Sequence, residues 1–319
     1  MKSAADPWVE WKPRSAVMRK GMENMIVFLA VILAIGLVCW PSFGYLPGYL
    51  LKKRSVMITP ADNGEIRIMS CNVRYLELRD YGKKSWFFRA DKLVADIGKQ
   101  KPGVIGFQEV TKWQYQYLVD TLRGYDSVIT YRDEMKWSEG CPVFYNTALY
   151  TLVDKGSFWL SETPEVMSKD WGACCYRVCS YVILTDRTTG KNFVVFNTHL
   201  DHASDEARIN GIRVVLEKIA QFGGLPAVIM GDFNAEEGSV TYERVTENFL
   251  DARYEAQETT GVGTFQAWGQ IEGGWRIDDF MISKTGFRVL RYDVVDVVHE
   301  GVYVSDHNPI VMDVILSRE

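Results

Sequence analysis

Several apolar stretches of this chain end on a side chain able to bind a metal ion, orient a water or move a proton. Asn72 closes IRIMSCN, Glu109 closes VIGFQE and His199 closes FVVFNTH. Asp232 and Asn234 follow AVIM, Asp278 and Asp279 interrupt RIDDFMI, and Asp306 and His307 precede PIVMDVI. Taken singly, an Asn or Asp after a strand ordinarily forms a turn or caps a helix. Taken together they ask for another explanation. Of the four histidines, His199, His202 and His307 fall in these places. Glu109 directly follows an apolar strand, where a carboxylate is costly unless paired or metal-bound. Oxygen donors of this kind are hard ligands suited to Mg2+ or Mn2+, and a His near an Asp suits an oriented acid or base. The cysteines lack zinc-ligand spacing, Cys174 and Cys175 being adjacent. A Gly-rich phosphate loop and a G-x-S-x-G elbow are both missing. The chemistry indicated is metal-assisted attack of water on a phosphate ester.

Strands and helices must alternate to carry these residues. Ile66 to Cys71 and Val104 to Phe107 read as strands, each followed by a helical stretch, Arg89 to Lys99 and Lys112 to Arg123. Thr147 to Val153, Arg177 to Leu184 and Asn192 to Thr198 read as strands, the last two joined by a turn at Asp186 to Gly190. Ser204 to Phe222 is the clearest helix, with Ile209, Ile212, Val215 and Ile219 in periodic positions. Pro226 to Met230, Arg276 to Ile282, Phe287 to Tyr292 and Pro309 to Leu316 supply further strands. Mixing without strict βαβ order predicts stacked sheets flanked by helices. The 319 residues are 47% hydrophobic and 24% charged, which excludes a disordered or collagen-like chain. With 36 basic and 41 acidic side chains, net charge −5, no global cationic field draws nucleic acid. Six cysteines in this length do not make a disulfide scaffold.

These strings resemble the endonuclease/exonuclease/phosphatase superfamily of Mg2+-dependent phosphoesterases, in its bacterial secreted or membrane-anchored branch. The matching strings are SCNVR, GFQEV, FWLSETP, NTHLDH, GDFNA, RIDDF and SDHNPI, in family order from about Glu65 to Leu316. The resemblance implies a four-layer α/β sandwich with two central mixed β-sheets flanked by helices. It implies Glu109 as principal metal ligand, with Asn72 and Asp306 completing the site for Mg2+ or Mn2+. It gives Asp232 the task of positioning or deprotonating the attacking water, and Asn234 a hydrogen bond to the phosphate. His307 would be oriented by Asp278, and His199 would donate a proton or hydrogen bond to a phosphate oxygen. Asp279 stands where many members carry Tyr, so a pocket wall is expected to differ. Arg74, two after Asn72, contacts either a phosphate or an acidic neighbour. Asp201 and His202 either extend the site or form a surface turn. Trp159 and Trp171 either stack on a substrate ring or pack in the body.

Residues 25–45 form an apolar run with Trp40 and Tyr45 as interface anchors, long enough to cross a bilayer. A cleaved signal peptide ending near Ser42 and Gly44 is the competitor, disfavoured by the 24-residue lead-in. The basic clusters Lys12, Arg14, Arg19, Lys20 and Lys52, Lys53, Arg54 nearly cancel, so orientation rests on the short tail preceding a long domain. The expected organisation is a tail over 1–24, an anchor over 25–45, a linker over 46–64 with Pro60, Asp62 and Asn63 as breakers, and a catalytic domain over 65–319. The expected protein is a single-pass, monomeric membrane enzyme with its domain on the extracytoplasmic side, hydrolysing a phosphodiester or phosphomonoester. The substrate is a nucleic acid, a lipid head group or a small phosphate ester. The alternative is a catalytically inactive binding or scaffold protein on the same fold.

Overall fold

A run that is apolar at every position suits a strand covered on both faces. In Ala227–Asp232, Val228 and Met230 point between two sheets, while Ala227 and Ile229 point onto helices. This arrangement recurs through the computed structural model, which describes residues 14–51, 56–58, 64–261 and 263–317. Lys12, the basic run Lys52 to Arg54 and the breakers Pro60, Asp62 and Asn63 lie outside the described residues.

The helices that matter here are α1 (Arg14–Phe43), α2 (Leu46–Leu51), α3 (Trp86–Gln100), α4 (Lys112–Thr121), α5 (Asp205–Ala220) and α6 (Val240–Thr246). The main strands are β1 (Ile66–Asn72), β2 (Val104–Gln108), β3 (Tyr125–Val128), β4 (Val143–Asn146), β5 (Tyr150–Trp159), β6 (Val178–Asp186) and β7 (Asn192–His199). They continue with β8 (Ala227–Asp232), β9 (Phe249–Asp251), β10 (Glu258–Thr260), β11 (Asp278–Ser283), β12 (Phe287–Val294) and β13 (Ile310–Leu316). One seven-stranded sheet runs β10-β12-β13-β1-β2-β4-β3, and a six-stranded sheet runs β9-β11-β8-β7-β6-β5. Both are mixed: β1–β2 and β7–β8 are parallel, while β13–β1 and β8–β11 are antiparallel.

Three apolar layers hold the sandwich. Ile68, Val104, Val195, Met230, Phe280 and Met312 fill the space between the sheets. Leu93, Val94 and Ile97 of α3 and Leu118 of α4 cover the seven-stranded sheet. Ile212 and Val215 of α5 and Val245 of α6 cover the other. The four-layer α/β sandwich expected from the resemblance is therefore the observed fold.

The N-terminal part differs from expectation. Met18–Leu37 of α1 is long and apolar enough to cross a membrane, and none of it is buried against the domain. The helix ends at Phe43, and the linker expected over 46–64 begins instead as α2, docked on the domain. Tyr49 stacks on Tyr117 at 4.8 Å and meets Phe87 edge-on at 5.3 Å, and Tyr45 meets Phe88 at 5.0 Å. Val56–Met57 pairs with Leu122–Arg123, which ends α4 earlier than the sequence suggests, and Ile58 is buried in the same core layer. Aromatic side chains that find partners hold this stretch on α3 and α4.

Candidate active site

Strand register assembles the site. His199 lies opposite Asp232, and Asp232 opposite Asp278, across three neighbouring strands. On the other sheet Asn72 lies opposite Gln108, so Glu109 follows at the same end. Ile310 pairs with Ser70, which brings the preceding Asp306 and His307 beside Asn72. The chemistry thus gathers at the seam between the two sheets.

Hydrogen bonds tie it across that seam. Asn72 Nδ2 donates to Asp232 Oδ2 at 3.0 Å and to Glu109 Oε1 at 3.2 Å. His307 Nδ1 faces Asp278 Oδ2 at 2.8 Å, leaving Nε2 3.7 Å from Asp232 Oδ2. His199 Nε2 is 3.4 Å from the same Asp232 oxygen. Asp232 Oδ1 accepts from Asn234 N at 2.9 Å, and Asn234 Nδ2 donates to Leu200 O at 3.1 Å. Glu109 Oε2 accepts from Tyr75 N at 2.9 Å. Ser305 Oγ donates to Asn72 O at 2.7 Å, fixing the loop that carries Asp306. Thr264 Oγ1 accepts from Asp278 N at 3.1 Å, and the Phe265 ring lies 4.9 Å from that of His307.

The backbone is strained where these side chains are delivered. Glu109, Arg74 and Asn234 have φ of 62°, 55° and 48°, a region non-glycine residues rarely adopt. Gly231, at φ 141°, precedes Asp232, and a Cβ there would sit 1.9 Å from Thr198 O. Only glycine lets the backbone pass.

Burial sets the electrostatics. Burial holds the His199 imidazole well below its usual range, with Arg177 adding to the effect. Burial also works against a charged His307, but Asp278 and Asp232 outweigh it and raise its pKa. Asp232 is raised by burial and then by the Asp278 charge. Asp232, Asp278 and His307 place donor atoms within 4.8 Å of one another, a grouping that could itself hold a metal ion. The His307–Asp278 hydrogen bond accounts for that proximity without one. Glu109 and Asp306 open onto the cleft beside Asn72 and Asp232, and Arg74 Nη1, 3.6 Å from Asp306, is a near cation. This oxygen-rich, net-negative set fits a divalent cation of the Mg2+ class.

A cleft of about 780 Å³ opens over the cluster. Glu109, His199, Asp232, Asn234, Asp306 and His307 line it, with Asn72 and Asp278 behind. All eight residues picked from the sequence are brought together. Arg74 meets acidic neighbours, Asp80 at 3.3 Å and Asp306 at 3.6 Å, and also lines the cleft. His202 also lines it, and Asp201 lies behind it near Arg177. Trp159 and Trp171 are not among the lining residues. Trp159 Nε1 donates to Arg132 O at 2.9 Å, and Trp171 packs in the layer under α5. The aromatic lining residues are Tyr75, Phe265 and Trp275, which lie in loops without strand or helix periodicity. Sequence reasoning also missed Arg132, Glu139 and Arg177, since charged residues beside strands are ordinarily solvated. Asp279 faces away from His307, its Oδ1 2.5 Å from Arg276 Nη2, which also reaches Asp251. Cys71, Cys141, Cys174, Cys175 and Cys179 are free thiols.

A two-sheet α/β sandwich with a His–Asp pair and clustered carboxylates at one end of the seam defines a hydrolase of the phosphoesterase class. The chain belongs to the endonuclease/exonuclease/phosphatase family, whose profile matches residues 69–307. Family members include nucleases and phosphatases and are typically divalent-metal dependent. A crystal structure of an endonuclease/exonuclease/phosphatase from Bacteroides vulgatus is 34% identical and covers 79% of this chain and 99% of its own, at TM-score 0.75. The mannosyl-6-phosphatase of Bacteroides thetaiotaomicron is 30% identical, covering 79% of this chain and 100% of its own, at TM-score 0.72. The 3'-5'-exoribonuclease subunit Ccr4 of Schizosaccharomyces pombe is 21% identical over 274 residues, 66% of this chain and 39% of that protein.

Proposed function

We propose that this chain hydrolyses a phosphate ester of a small polar alcohol. The observation that carries this is the union of His307, Asp278 and Asp232 at the floor of a cleft of about 780 Å³. That volume is of the order of small-molecule pockets, about 300–1,000 Å³. The mannosyl-6-phosphatase relative supports it at 30% identity.

In this reading Glu109, Asp306 and Asn72 would hold a divalent cation, whose charge would offset that of the phosphate and polarise the ester. Asp232, buried and flanked by His199 and His307, accepts the proton of the attacking water. The new bond joins water oxygen to phosphorus, the bond from phosphorus to the alcohol oxygen breaks, and the leaving oxygen takes a proton from solvent in the open cleft. His307, kept as imidazolium by Asp278, donates to a phosphate oxygen, where transition-state charge grows. His199, kept neutral by burial, donates one N–H, and the Asn234 amide contacts the same group. The α1 stretch, residues 25–45 in the sequence reading, anchors a monomer in the membrane, with its catalytic domain on the extracytoplasmic side. The gathering of carboxylates and imidazoles in one cleft favours this reading over the inactive-scaffold alternative.

The test is a hydrolysis screen with and without Mg2+ over sugar phosphates, nucleotides, RNA, single-stranded DNA, phosphoinositides and sphingomyelin. Metal-dependent release of phosphate from a small ester is expected. Turnover confined to RNA would favour the nuclease relatives. Full activity in excess chelator would sink the mechanism.

A further inference from the structure

Beyond the hydrolytic cluster, one buried cation in the cleft has donors left without hydrogen bonds. Arg177, just before β6, has a side chain only 5% exposed, and it lines the cleft. Its Nε is buried without a hydrogen-bond partner. Its nearest carboxylate, Asp201, comes no closer than 3.5 Å. Asp201 is already occupied. Oδ1 accepts from Ala203 N and Ser204 N, and Oδ2 from Cys174 N, Cys175 N and Cys174 Sγ. It shapes the turn beneath Arg177 and pairs with the guanidinium only at 3.5 Å, without a hydrogen bond to it. Arg177 Nη2 lies 3.0 Å from His202 Nδ1, within hydrogen-bond distance. Among the described residues, Nη1 has no hydrogen-bond partner.

A buried guanidinium without full partners is costly in an empty site and calls for a ligand. Its planar fork matches a carboxylate or phosphate in bidentate fashion. Arg132 does not compete for the role, since its two terminal nitrogens clamp Glu139 at 2.9 Å. Among the described residues, Arg177 makes no hydrogen bond or ion pair with the His307–Asp278 pair. Arg177 shares a recess with His199 and Glu109, yet its contacts run to Asp201 and His202, away from His307 and Asp278.

We propose that Arg177, with His202 beside it, binds a second anionic group of the substrate. The preferred substrate is then a small phosphate ester carrying a further carboxylate or phosphate. This rests on the phosphoesterase reading given above and narrows its substrate class.

The test uses the full chain in detergent with Mg2+ and two matched pairs of compounds. Glucose 6-phosphate against 6-phosphogluconate tests a carboxylate, and fructose 6-phosphate against fructose 1,6-bisphosphate tests a phosphate. In at least one pair the doubly anionic member should be favoured about tenfold to a hundredfold in kcat/KM, mainly through KM, the range of a charge-assisted hydrogen bond. Arg177→Met should bring that ratio to about one, with Arg177→Lys in between. A ratio near one in both pairs for the unaltered chain overturns the proposal. So does a preference that survives Arg177→Met, or a loss that falls equally on both members, which would place Arg177 on the scissile phosphate. If no sugar phosphate is turned over, the hydrolysis reading fails for this class, and thermal protection by the same four compounds takes over. Stronger protection by the doubly anionic members, lost in Arg177→Met, supports the subsite; equal protection removes it.

Discussion

His307 and Asp278 come from different sheets and meet through a 2.8 Å contact with both side chains buried. If the carboxylate acts through the ring, removing each partner alone and both together gives a non-additive pattern. A hydrogen bond to a charged group contributes about 1.5–3 kcal/mol. Asp278→Asn should therefore slow turnover about 10- to 150-fold, at about 1.4 kcal/mol per decade. Loss of a group that transfers or shares a proton costs about 10²- to 10⁴-fold, which sets the expectation for His307→Ala. The double variant should fall within a few-fold of His307→Ala, because Asp278 has nothing left to orient. Asp279→Asn should change turnover little, since its contacts run to Arg276. The assay is steady-state turnover of the best substrate by all four variants at saturating Mg2+, with thermal melts to confirm folding. A Mg2+ titration adds a second discrimination. Asp278 lies in the one carboxylate–imidazole group dense enough to suggest a metal site among the described residues. If Asp278 were a ligand, Asp278→Asn would weaken apparent Mg2+ affinity; as an orienting residue it leaves that affinity unchanged. Multiplying losses, or a shifted Mg2+ dependence, would refute the pairing.

Glu109→Gln removes the charge assigned to the principal metal ligand, so turnover should fall by orders of magnitude while the melting curve survives; undiminished turnover is the contrary result. Arg89, 1% exposed, donates to Val73 O at 2.9 Å and Val304 O at 2.5 Å, joining the loops that follow Asn72 and precede Asp306. Arg89→Met should cost about 2–5 kcal/mol of stability through orphaned carbonyls and lower turnover with it, read by chemical denaturation and kinetics. The full chain should resist alkaline carbonate extraction from membranes, and a fragment from Ser55 should fold and be soluble. A fragment from Gly44 should be more stable than that one by about 2 kcal/mol, because it keeps the aromatic contacts of Tyr45 and Tyr49; equal melts would show that α2 contributes nothing.

Strands covered on both faces were legible because every position is apolar, as in Val104 to Phe107 and Ala227 to Met230. The site was legible for a related reason, since polar residues at the ends of such runs stand out. Edge strands left no comparable mark. Tyr125–Val128 holds Asp126 and Ser127 at its centre, and Glu258–Thr260 is exposed throughout. The apolar neighbours of Thr147 predict a strand there, but Asn146 Oδ1 accepts from Ala148 N at 3.0 Å, and that turn delays β5 to Tyr150. Arg177 was invisible for the opposite reason. Its importance lies in how fully Asp201 is used by other donors, which is a property of packing and not of spacing.

Because each sheet supplies half of the chemistry, the distance between sheets should govern activity as much as any catalytic side chain. Gly106 of β2 sits where the facing sheet leaves no room for a side chain. A Cβ there would lie 2.4 Å from Met230 Cε and 2.8 Å from Asn197 Cγ and Oδ1. The Met230 methyl is the end of a flexible chain and can move. Asn197 cannot, for it donates to Phe107 O at 2.8 Å and Pro142 O at 2.9 Å and accepts from Gln108 at 2.7 Å. Gly106→Ala must therefore spread the sheets or break that buried network, at a cost of about 1–3 kcal/mol as for other overpacked cores. Asn72 and Glu109 would then draw away from Asp232 and His199, and turnover should fall further than the stability loss alone explains. Measured below the melting temperature, an intact turnover number in a destabilised Gly106→Ala would mean that the seam tolerates spreading. The close approach of the two sheets would then serve stability and not catalysis.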